Sequence, residues 1–120
     1  MQPYRFDDVK VKGPHMNIYI GNRKIAEAKL NLDNSGNLVW ERFGVMKGAS
    51  KKSISQVDKY IEGLMGDTKI MGQAKAQLSN ALKDFKNILN DPKSGKNLAG
   101  LAERGMDKFS KMLEKFNEFN

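Results

Sequence analysis

The chain predicts an α+β fold: an N-terminal antiparallel β-meander of three to four strands, then three amphipathic helices packed on one face of it. Two changes of pattern predict this. The first ~45 residues alternate apolar and polar with period two, and from about residue 53 the apolar residues recur with helical spacing. A third observation joins the halves. Each helical stripe is one face wide and needs a partner surface, and the apolar face of the sheet is the surface on offer.

The strands follow from the alternation. Met16, Ile18 and Ile20 point one way, and His15, Asn17 and Tyr19 the other. Gly21-Asn22 is a hairpin signal. The run Arg23 to Leu32 puts Ala26, Ala28, Leu30 and Leu32 on one face. Asp33 to Asn37 reads as a second turn, and Leu38 to Phe43 as the next strand. An earlier strand falls near Tyr4 to Val11. Residues 44–52 hinge the β-rich half (1–45) to the helical half (53–120) within a single domain of 120 residues.

The helices follow from caps and stripes. Ser53 with Gln56 three residues on fits a capping box. Ile54, Val57, Ile61 and Leu64 follow, and Gly66 is the expected stop. Asp67 or Thr68 should cap a second helix, with Ile70/Met71, Ala74, Leu78, Ala81/Leu82, Phe85 and Ile88/Leu89 as its apolar stripe. Asn90-Asp91-Pro92 ends it. The third should run from about Asn97, with Leu98, Leu101/Ala102, Met106 or Gly105, Phe109, Met112/Leu113 and Phe116 inward.

Composition narrows the function. There is no cysteine, so no disulfide, thiolate ligand or thiol nucleophile. One histidine makes a zinc site unexpected, and no cofactor is implied. No apolar run is long enough to span a membrane, and Met1 to Asp8 lacks the apolar core of a signal peptide. The net charge of +7 suits an anionic partner. It is diffuse, with 8 Lys/Arg against 5 Asp/Glu in residues 1–50 and 13 against 9 in 51–120.

The apolar residues also fix a register. Keeping them on one face pairs Met16 with Ala28 and Leu30 with Trp40, whereas a one-residue slip scatters them. On the opposite face His15 then lies beside Lys29, Lys29 beside Glu41, and Asn17 beside Glu27, flanked by Tyr19 and Arg23. RNA cleavage by 2′-OH attack needs a base, an acid and a cation for the developing phosphorane. His15 with Glu27 or Glu41 is a candidate acid–base pair, and Lys29 or Arg23 a candidate phosphate holder. Lys12, Asn17, Tyr19 and Arg23 are candidate substrate contacts. The competing account is a wet sheet face whose charge pairs serve solubility alone. Ile25, Val39 and Phe43 share that face by parity, either as packing or as apolar contact for bases.

Three other motifs read as structural. Lys93 to Asn97 fails as a phosphate loop, because Asn90 stands where the first glycine should be, Asn97 replaces Ser/Thr and a helix precedes it, so it is an interhelical turn. Trp40 is expected in the core. Lys108, Lys111 and Lys115, mixed with Glu114 and Glu118, make a solvated helix face.

Residues 4–43 carry a resemblance. Val11-Lys12-Gly13-Pro14-His15-Met16-Asn17-Ile18-Tyr19, the following Gly-Asn-Arg-Lys-Ile, and Gly36-Asn37-Leu38-Val39-Trp40 resemble the C-terminal nuclease toxin domains of bacterial polymorphic and contact-dependent inhibition toxins. The resemblance implies a small basic ribonuclease with His15 as a catalytic residue and RNA as substrate. It implies an acidic immunity protein as partner. It also implies delivery from a secreted parent protein, with action in the cytoplasm of the target cell. The helical second half departs from that pattern, since several such nucleases put helices before the sheet. The alternative is a non-catalytic basic module that binds nucleic acid or a protein partner.

Overall fold

A computed structural model describes residues 4–6 and 13–118. The fold is α+β. Four antiparallel strands, β1 (Tyr4–Phe6), β2 (His15–Ile20), β3 (Arg23–Leu32) and β4 (Leu38–Val45), lie in sequence order. Three helices follow: α1 (Lys51–Glu62), α2 (Thr68–Asn90) and α3 (Lys96–Glu118). The part of the expected first strand beyond Phe6 lies outside the described residues.

Turn chemistry sets the strand lengths. Gly21, at φ +63°, closes the β2–β3 hairpin. At the β3–β4 turn, Asp33 Oδ1 accepts from the backbone N–H groups of Ser35 and Asn37, both at 2.9 Å, with Gly36 at φ +81°.

The apolar face has the expected register, with Met16 opposite Ala28 and Leu30 opposite Trp40. Met16, Ile18, Ala26, Ala28, Leu30, Leu38 and Trp40 are buried there. They form one core with Val57 of α1, Leu64, and Ile70, Ala74 and Leu78 of α2. Trp40 Nε1 donates to Met71 Sδ at 3.3 Å, so the indole belongs to the core. Arg42 ties β4 to α1 through Asp58 at 2.8 Å.

The alternation is broken twice, by β-bulges. Ile18 pairs with Ala26 and Tyr19 with Lys24, so Ile25 is the extra residue on β3. The two residues of a bulge share the face of the one they oppose, so Ile25 joins Ala26 in the core at 3% exposure. Strict parity placed Ile25 on the polar face. The second bulge lies on β4, where Glu27 pairs with Gly44 and Ala28 with Arg42, leaving Phe43 extra.

The helix ends differ from expectation in three places. Ser50, not Ser53, caps α1: its side chain accepts from Ser53 N at 3.1 Å. Both serines are good caps, and the helix takes the earlier one. α1 stops at Gly63, and Gly66 ends a single 3-10 turn (Leu64–Gly66) that aims Leu64 into the core. Asp67 caps α2 through Ile70 N at 3.1 Å. Leu98, expected inward on α3, is exposed at 44%, and of Leu101 and Ala102 it is Ala102 that is buried while Leu101 is 37% exposed.

The α2–α3 hairpin explains that exposure. Each helix has 23 residues, about 35 Å at 1.5 Å per residue. Phe85 of α2 packs on Gly105 and Phe109, midway along α3, and the molecule is 50 Å in its longest dimension. The hairpin tip therefore lies where no sheet covers it. Lys93 to Asn97 forms the turn there: Asp91 Oδ1 accepts from Lys93 N at 2.9 Å, and Ser94 Oγ donates to the Ile88 carbonyl at 2.7 Å.

Close approach within the hairpin depends on Gly105. A Cβ there would stand 2.5 Å from the Phe85 ring, which stacks at a tilt on Phe109 with centroids 5.5 Å apart. Gly72 of α2 has nothing within 4 Å of its missing Cβ. Gly72→Ala should therefore stabilise by about 1 kcal/mol, the ordinary helix propensity gain. Gly105→Ala should destabilise by about 1–3 kcal/mol through overpacking. Urea unfolding of the two variants checks this, and stabilisation by both would contradict the close packing.

Candidate functional site

Burial of one sheet face determines the other. His15 pairs with Lys29 and Lys29 with Glu41, which sets a polar row across β2, β3 and β4 on the face opposite the core. Adjacent strands are about 4.8 Å apart, so His15 and Glu41 stand roughly 10 Å apart with Lys29 between them. A second row places Asn17 opposite Glu27. By backbone register, Arg5 of β1 stands opposite Asn17 as well.

The row has an aromatic member. Phe43 meets the His15 ring at a 6.0 Å centroid distance and 70° between planes. The Lys29 amine stands 5.5 Å from the centroid of the same ring, within cation–π range. Phe43 thus joins the outer two strands of the row across Lys29. His15 itself is 9% exposed, so its ring is a largely enclosed part of the site.

The carboxylates are in different situations. Glu27 pairs with Lys24 at 3.2 Å, and its carboxylate lies over Gly44, where a Cβ would stand 2.9 Å from Oε2. Glu41 lies beside Lys29 in the row and acts electrostatically on Lys108 of α3.

The sequence reading placed Arg23 on this face, and the register corrects it. The Ile25 bulge reverses parity at the start of β3, so Lys24 pairs with Tyr19 and Arg23 with Ile20. Arg23 lies near the β4–α1 loop, its guanidinium 3.6 Å from where a Gly48 Cβ would be. Lys24 takes its place on the polar face. Tyr19 and Asn17 remain there, both half-buried. Lys12 lies outside the described residues.

Lys108 is the residue that the sequence reading missed. It was assigned to a solvated helix face. Instead, Phe109 lies against Gly13, just before β2, and Lys115 lies near Gly36 of the β3–β4 turn. α3 therefore passes the end of the sheet where His15, Lys29 and Glu41 lie. Lys108 is half-buried there, and its pKa is lowered below 10.5. Burial is the main cause, repulsion from Lys29 adds to it, and Glu41 opposes it. No local pattern shows this, because it depends on where α3 crosses the sheet. Among the described residues, no three His, Cys, Asp or Glu side chains gather as a metal ion would require. None of the described helices is long and apolar enough to cross a membrane.

Comparison with protein-family models, with curated proteins and with solved structures finds no match to this chain.

The lowered pKa of Lys108 has a consequence for stability. In the window just below pH 10.5 the unfolded chain holds more protons than the folded chain, so the Lys108 contribution to stability rises with pH there. Lys108→Gln should abolish this contribution. It should not lower the melting temperature at neutral pH, because it removes a charge repelled by Lys29. Thermal melts of both proteins from pH 8 to pH 10, about the span below the ordinary lysine value, check this. An identical pH slope in the variant would show that the fold does not lower the Lys108 pKa.

Proposed function

We propose that this chain is a metal-independent ribonuclease domain of a bacterial antagonism toxin. The observation that carries the proposal is the order His15–Lys29–Glu41 across three adjacent strands of the face opposite the core. A cation stands between two groups able to transfer protons, and in-line displacement at phosphorus needs acid and base on opposite sides.

The side-chain chemistry assigns the roles. Glu41 takes the 2′-OH proton as the 2′ oxygen bonds to phosphorus. Lys29, with Lys108 near it, balances charge on the phosphorane oxygens. The P–O5′ bond breaks, and His15 as imidazolium gives its proton to the departing oxygen. The products are a 2′,3′-cyclic phosphate and a 5′-hydroxyl. Glu27 is engaged with Lys24, which favours Glu41 as the base. Asn17, Tyr19 and Lys24 border the row and suit contacts with the rest of the nucleotide.

The resemblance of residues 4–43 supports the toxin part of the proposal. With it go delivery from a secreted parent, action in the cytoplasm of the target cell, and neutralisation by an acidic immunity protein covering the basic face.

The test is cleavage of RNA by the purified protein with a chelator present. His15→Ala and Glu41→Gln should each lose on the order of 10²–10⁴-fold in rate. Lys29→Ala should also weaken RNA binding and flatten its dependence on salt. Full activity in His15→Ala would end the proposal. Binding that persists with no fragments from the parent protein would leave a nucleic-acid-binding module.

A further inference from the structure

β4 carries one residue more than its ladder with β3 uses, and that residue is aromatic. Glu27 and Ala28 pair with Gly44 and Arg42, so Phe43 has no opposite number. It keeps the face of Glu41, which is also that of Glu27, beside the His15–Lys29–Glu41 row. Among the described residues, Phe43 is the only aromatic among the exposed large hydrophobics, at 43% exposure. Trp40, Phe85, Phe109 and Phe116 are all buried.

A single exposed apolar residue is ordinary. Its setting distinguishes this one. The ring is held by the Lys29 amine at 5.5 Å and by His15 at 6.0 Å, so it stands at the two groups that would meet a phosphate. Stacking on an aromatic ring is open to every base, because each has a π face. Within a duplex both faces of a base are covered by its neighbours, and it must leave the stack to reach such a ring.

We propose that Phe43 is a stacking platform for an unpaired nucleobase, and that this face takes single-stranded RNA in preference to duplex. The inference rests on the reading that RNA is the substrate at this face. Stacking on Phe43 would hold the nucleotide so that its adjoining phosphate lies against Lys29, between His15 and Glu41. The bulge leaves the ring on this face and sets the smallest residue, Gly44, next to it there.

The test is fluorescence anisotropy at fixed salt. The probes are a labelled 2′-O-methyl oligoribonucleotide, which cannot be cleaved by 2′-OH attack, and the same strand annealed to its complement. The wild-type chain should bind the single strand more tightly. Phe43→Ala and Phe43→Leu should weaken single-strand binding about tenfold and leave duplex binding unchanged, while Phe43→Tyr retains it. Melting temperatures establish that each variant is folded. Equal single-strand binding by Phe43→Leu and the wild-type chain, or a wild-type preference for duplex, would overturn the platform. Cleavage of the matching 2′-hydroxyl strand is measured in parallel. Phe43-dependent binding without cleavage would keep the platform and remove the ribonuclease. Cleavage without Phe43-dependent binding would do the reverse.

Discussion

The two faces of a β-sheet are not independent, and that constraint places the candidate site. Met16, Ala28, Leu30 and Trp40 must come together to be buried under α1 and α2. A slip of one residue would carry them all to water, so the register is held by the free energy of the core. His15, Lys29 and Glu41 are carried along on the opposite face. The core thus positions the polar row without touching it. Lys29 and Glu41 are half-buried on this face, whereas His15 is enclosed at 9% exposure and takes part in the packing around it.

The bulges modify this rule at two positions, and both matter for the site. The Ile25 bulge adds an apolar side chain to the core and exchanges Arg23 for Lys24 on the polar face. Lys24 is then in place to engage Glu27 at 3.2 Å, which leaves Glu41 as the carboxylate beside Lys29. The second bulge moves Gly44 to the polar face and Val45 to the apolar one, while Phe43 keeps the face that alternation gives it, beside His15 and Lys29. A Cβ at Gly44 would stand 2.9 Å from the Glu27 carboxylate, which is the free end of a flexible side chain.

Much of this was legible in the residues. Alternation and turn chemistry gave the strands, and the burial requirement gave the pairing of His15 with Lys29 and of Lys29 with Glu41. The Asp67 cap and the inward faces of Ala74, Leu78 and Phe85 followed from short-range rules. The bulges were not legible, because Arg23 to Leu32 alternates acceptably with or without an extra residue. The choice of Ser50 over Ser53 was open because both can accept the same kind of bond. The exposure of Leu98 and Leu101 was hidden by periodicity, which gives the apolar side of a helix but not what covers it. Lys108 was hidden for the same reason: its neighbours on the sheet are set by tertiary packing. Strand pairing was readable because burial of one face fixes it, and what covers each helix was not.

The central claim is that RNA meets the face opposite the core. Chemical-shift mapping by NMR tests it most directly, using the labelled protein and a short, non-cleavable single-stranded oligoribonucleotide. The account predicts that the perturbed resonances cluster at His15, Asn17, Lys29, Glu41 and Phe43, with Lys108 joining them from α3. Perturbations confined to the hairpin tip around Leu98 and Arg104, or none at all at low salt, would contradict it.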